Sequence, residues 1–81
     1  MKYDEEKIDA VVLALLWLNT YDDPDTGTRA WKGHDWDALD RLYKQRLIGN
    51  PVGKAKSVVV TAEGAKRSEE LFRKLFGTDK A

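Results

Sequence analysis

Apolar residues are spread along this chain with two periods. Between Asp4 and about Asn19 the interior "IDAVVLALLWLN" is nearly continuous in apolar residues, which sort into stripes at spacings of three and four. Ile8, Val11, Leu15 and Leu18 form one stripe, Val12, Leu16 and Asn19 a second, and Leu13 with Trp17 a third. This spacing predicts a helix that is apolar on most sides, and such a helix is either central to its domain or shared with another chain. Asp4, Glu5 and Glu6 stand in its first turn, where carboxylates meet the positive end of the helix dipole. Tyr21–Arg29, "YDDPDTGTR", interrupts the pattern and reads as turn and loop. A short extended piece, Thr28–Lys32, follows and stops at Gly33.

The helical period returns after Asp35, a good N-cap, and predicts a second helix from Trp36 to about Arg46. Trp36, Leu39, Leu42, Tyr43 and Leu47 fall on its apolar side, and Asp37–Arg41 and Asp40–Lys44 form i,i+4 pairs. Gly49, Asn50, Pro51 and Gly53 then supply turn chemistry. The β-branched run Ser57–Val60 predicts a strand folded back against the earlier extended piece. Thr61 caps a last helix, about Ala62 to Phe76, with Ala65, Ser68, Leu71, Phe72, Leu75 and Phe76 on its inner face and Gly77 as its stop. The expected fold is a single α+β domain over residues 1–81, with three helices and a short β-hairpin or three-stranded sheet.

Composition narrows the chemistry. A chain of 81 residues has a thin core. It contains no cysteine and one histidine, which excludes disulfides, thiolate chemistry and paired-histidine metal motifs. The formal net charge is zero, although an acidic start precedes a basic middle. The N-terminus lacks the features of a signal peptide, and the apolar run Ala10–Leu18 is too short to cross a bilayer. A cytoplasmic protein with no membrane partner is the expectation.

Three motifs fail on their spacing. Asp23-x-Asp25-x-Gly27 hints at a calcium loop, but the glycine comes one position early and the twelfth position is His34. "GNPVGKAKS" has three residues between its glycines, no Ser or Thr after Lys54, and a strand rather than a helix behind it, so it is not a phosphate loop. His34, Asp35 and Asp37 are close in sequence, but Asp35 is better explained as a cap, and no nucleophile–base pair accompanies them. An enzyme built there requires a deep polar pocket around His34. No catalytic residue, cofactor or metal is expected.

"LDRLYKQRLIGNPVGKAKSVVVTAEGAKR" resembles the recognition helix, wing and closing segment of winged-helix proteins over roughly residues 36–72. "RAWKGHDWDALDRL" with "NPVGKAKSVVVTAEG" also resembles a family of short bacterial proteins of unknown function, across most of the chain. The winged-helix resemblance implies a winged-helix-like domain with a basic wing. It departs from that pattern between the first two helices, where a helix-turn-helix needs another helix. The candidate nucleic-acid or partner contacts are Arg29, Trp31, Lys32, Arg41, Lys44, Lys54 and Lys56. Asp35, Asp37 and Asp40 stand against major-groove reading, because they occupy the helix end that should meet the bases. Trp17, Trp36, Tyr43, Phe72 and Phe76 are read as core, and Trp31 as either an edge residue or an exposed contact.

The function expected from these features is a bacterial interaction module that self-associates through its first and last helices. Val12, Leu13, Leu16, Trp17, Phe72 and Phe76 are the candidate homodimer interface. A wing-type nucleic-acid-binding protein of transcription-regulator type is the alternative.

Overall fold

The structure, a computed structural model, describes residues 1–78. The chain runs α1 (Glu5–Leu18), β1 (Thr20–Asp23), β2 (Gly27–Trp31), α2 (Trp36–Lys44), β3 (Ser57–Val59) and α3 (Ala62–Phe76). The three strands form one antiparallel sheet in the order β1-β2-β3. The expected α+β class, with three helices and a three-stranded sheet, is what the chain forms.

Each helix begins at a side-chain cap. Asp4, expected inside the first turn, caps α1 by accepting the Lys7 N–H. Asp35 accepts from Ala38 N, and Thr61 Oγ1 accepts from Gly64 N. These bonds satisfy amides that the helix itself leaves unpaired.

The segment read as loop holds a strand. Thr20–Asp23 pairs with Gly27–Ala30, joined by a tight turn in which the Asp23 carboxylate accepts from Asp25 N and Thr26 N. Those two bonds favour the ionised form and hold the Asp23 carboxyl below its ordinary range. Gly27 takes φ 85°, a left-handed value open to glycine at little cost. The β-hairpin occupies the place where a helix-turn-helix would put its extra helix.

The valine run folds back as expected. Arg29, Ala30 and Trp31 pair with Val59, Val58 and Ser57. Ile48 bridges to Val60, and Gly49 N donates to Val59 O, so residues 49–56 form a wing-like loop between them. Helix α2 ends earlier than its apolar period suggests, at Lys44. Arg46 turns left-handed at φ 62°, and Leu47 N reaches back to Leu42 O. This closure swings Leu47 and Ile48 into the core.

The core is built from Val12, Leu13 and Leu16 of α1, Ala38, Leu39 and Leu42 of α2, and Ala30, Val58 and Val60 around the sheet. Leu47 and Ile48 complete it, with Ala65 and Leu71 of α3 packed against it. The inner face of α2 is therefore Ala38, Leu39 and Leu42. Trp36 and Tyr43, read as core from the same stripe, lie about 100° round the helix from that face and are exposed. On α3, Ser68 is buried and donates to Leu13 O at 2.6 Å, whereas Leu75 and Phe76 lie in water.

Candidate interaction surfaces

A groove forms where the end of β2 meets the wing. Pairing of Trp31 with Ser57 and donation from Lys32 N to Lys56 O hold these two chain segments side by side. The Lys32 ammonium reaches across and donates to Pro51 O (2.6 Å) and Gly53 O (3.1 Å), tying the wing to the sheet. The same ammonium stands 5.8 Å from the Trp36 ring centre, a cation–π separation. Gly33 has no side chain for a positional reason: a Cβ there would fall 2.0 Å from the Trp31 indole. The ring can lie across this residue only while it is glycine.

His34 meets the Trp31 ring edge-on, with centres 5.8 Å apart. Burial lowers its pKa below the ordinary imidazole range, and its Nε2 is buried without a partner among the described residues. The imidazole is therefore neutral at physiological pH. Trp31 and Trp36 keep 51% and 59% of their surface in water. The groove encloses about 340 Å³ and is lined by residues 31–34, Trp36 and residues 53–56. Among the described residues, no carboxylate lines it. Asp35 is turned to its cap, and neither it nor Asp37 belongs to the lining.

Of the seven basic and aromatic contacts expected, four meet at this groove: Trp31, Lys32, Lys54 and Lys56. Lys54 and Lys56 are exposed and, among the described residues, form no ion pair. The other three are placed elsewhere. Arg29 lies on the sheet, donating to Ser57 Oγ, Ser57 O and Thr26 Oγ1, with Tyr21 donating to the same Ser57 hydroxyl. Arg41 is an internal strut. Its Nε donates to both carboxylate oxygens of buried Asp9 (2.9 and 2.8 Å), and its Nη1 to Glu5 (2.8 Å). These carboxylates raise its pKa further, Asp9 most of all. Lys44 pairs with Asp40 on the open side of α2.

Sequence reasoning missed His34, Gly33 and Trp36 as members of the groove. One signal for Trp36 was available: a residue directly after an N-cap starts its helix at the rim, off the core-facing side. No group of three or more His, Asp or Glu among the described residues is arranged to hold a metal.

A second surface lies on α1. Val12, Leu13 and Leu16, expected to form a dimer interface, are buried inside the chain against its own sheet and helices, so they cannot touch another molecule. Trp17 and Phe72 are half-buried and stack on each other, with ring centres 5.0 Å apart; Phe76 joins Phe72 at 5.4 Å and stays exposed. The opposite stripe is the one in water. Ile8, Val11 and Leu18 are exposed, Leu18 at 59%, with half-buried Leu15 between them. No helix among the described residues is long and apolar enough to cross a membrane.

Residues 4–78 match the family described as "Domain of unknown function (DUF6429)". An uncharacterized protein, y4hR, of Sinorhizobium fredii is 55% identical over 76 residues, covering 94% of this chain and 97% of that protein. No solved structure matches, so the winged-helix resemblance gains no structural relative.

Proposed function

The chain belongs to this family of unassigned function, and from that premise we propose that it is a small interaction module that pairs with a second copy of itself through the outer face of α1. The carrying observation is the stripe Ile8, Val11 and Leu18, left facing water with half-buried Leu15 between them, on the helix that also holds the centre of the core.

Three physical points support a second copy as the occupant. The spacing of the stripe, three-four-three, is the seam of a helix pair, and an uncharged aliphatic seam is complementary to its own copy. The chain also exposes more surface than its mass requires. It presents 6054 Å², whereas a compact 9.2 kDa monomer presents about 4,900 Å². The excess, about 1,100 Å², is large enough to supply the ~800 Å² that one partner commits to a standard interface. The molecule is also a plate, 37 × 36 × 19 Å, a shape that leaves broad faces to be covered.

Light scattering on a sizing column tests the proposal over a rising protein concentration. A dimer mass at high micromolar concentration is expected, and Val11→Glu with Leu18→Glu should return the monomer while leaving the circular dichroism unchanged. A wild-type chain that stays monomeric at those concentrations refutes the proposal.

A further inference from the structure

We propose that the groove between Trp31 and Trp36 binds single-stranded nucleic acid, stacking bases on the indoles and holding phosphates with the lysines. The proposal is independent of self-association, since the groove is made by β2, the start of α2 and the wing, and α1 contributes nothing to its lining.

The chemistry of the lining selects the ligand. Two large aromatic rings, each about half in water, stand in one open groove of about 340 Å³. Exposed indoles carry a cost in water that a planar partner relieves, and every base has a face to offer. Around them, among the described residues, are three ammonium groups, from Lys32, Lys54 and Lys56, and no carboxylate. An ammonium has three donors. Lys32 commits two of them to the carbonyls of Pro51 and Gly53 and keeps one for an incoming phosphate oxygen. Among the described residues, Lys54 and Lys56 have no ion pair to break on binding. His34, neutral and edge-on to Trp31, packs against that ring without adding a charge.

The geometry separates this ligand from its rivals. A duplex keeps its base faces stacked inside and has none to give the indoles, so the proposed mode differs from insertion of a helix in the major groove. An acidic peptide could meet the lysines but would leave both indoles without planar partners. An open groove also suits a strand running across it better than a small molecule enclosed by it. Two indoles provide for about two stacked bases.

Fluorescence anisotropy with a dye-labelled oligothymidylate of about 12 nucleotides tests the site. Binding is expected at low salt, with log affinity falling against log salt at a slope of about −2, as for three phosphates on a single strand. Trp36→Ala should weaken binding about fivefold or more. Gly33→Ala gives the same loss by a different route: its methyl expels the Trp31 ring, an exposed side chain free to swing away, so melting temperature should hardly move. Lys54→Ala with Lys56→Ala, on the exposed wing where folding is not at stake, should flatten the salt slope.

Any of four results overturns the proposal. These are no anisotropy change at low salt, equal affinity for a duplex of the same length, equal competition by polyglutamate, or wild-type affinity in folded Trp36→Ala and Gly33→Ala.

Discussion

The two faces of α1 are made of the same kinds of residue and have opposite fates. Val12, Leu13 and Leu16 lie under the sheet and the other helices, with essentially no surface left. Ile8, Val11 and Leu18, a few ångströms round the same helix, lie in water. No property of Val11 distinguishes it from Val12 except its angle. The difference therefore belongs to the rest of the chain: α2, α3 and a three-stranded sheet cover about half of the helix and no more. A chain of this size has too few apolar residues to wrap a helix that is apolar all round. The inner face measures how the monomer holds together, and the outer face measures what the monomer lacks.

Leu16→Ala should give the largest effect on this contrast. Leu16 is fully buried among the core side chains, and its truncation removes apolar contact and leaves a cavity. A loss of about 3 kcal/mol is expected from chemical denaturation. Val11→Ala, one turn away on the outer face, should cost less than about 0.5 kcal/mol in the monomer. Equal losses at both positions would erase the distinction between the faces.

Asp9→Ala should come next, because it is the one charged residue on the inner face. Asp9 is buried, and its carboxylate takes the Arg41 Nε proton between its two oxygens. Removing it leaves that N–H without its partner beside a buried Nη2 that has no partner among the described residues. The melting temperature should fall by about 5–10 °C. Asp9→Ala together with Arg41→Met should recover part of the loss, since the orphaned guanidinium is then gone. A double variant no better than the single one would show that the pair acts by more than mutual compensation.

The sequence carried the helices, the valine strand and its return onto the earlier extended piece, because each has a period and a punctuating residue such as Asp35, Thr61 or Gly33. β1 was not legible. Asp22 and Asp23 interrupt any β-branched run, and the strand exists because the turn closed by Asp23 delivers it to β2. The end of α2 was hidden for a related reason: Arg46 takes a left-handed turn usually left to glycine. Half of the groove was legible as basic and aromatic residues near the wing. Its other half, with Trp36 outward and Gly33 under Trp31, depends on helix phase and on a side-chain contact that spacing does not encode. Arg41 and Arg29 look like surface cations in the sequence and act as struts in the fold, since their carboxylate and hydroxyl partners lie about thirty residues away.

Ser68→Ala should have a smaller effect, at the seam between α1 and α3. The hydroxyl donates to Leu13 O at 2.6 Å in a fully buried position. Alanine keeps the close approach of the helices and loses only the bond, so about 1 kcal/mol is expected. A larger loss would mean that the bond also sets the spacing of the two helices. Ser68→Val tests this directly, since its added bulk must push the helices apart.

Leu18→Ser should have the smallest effect on the isolated monomer and the sharpest effect on the contrast. Leu18 is the most exposed member of the outer stripe, at the last turn of α1. In dilute solution it touches mainly water, so replacing it should move the melting temperature by no more than a degree or two. At high concentration the wild-type chain is expected to behave differently, because pairing stabilises the folded state by mass action and raises the melting temperature as protein is added. Leu18→Ser removes apolar area at the edge of the seam and should flatten that concentration dependence without altering the dilute value. A mutant that melts lower by the same amount at every concentration would place Leu18 in the monomer's own stability, and the outer face would then need no second copy to explain it.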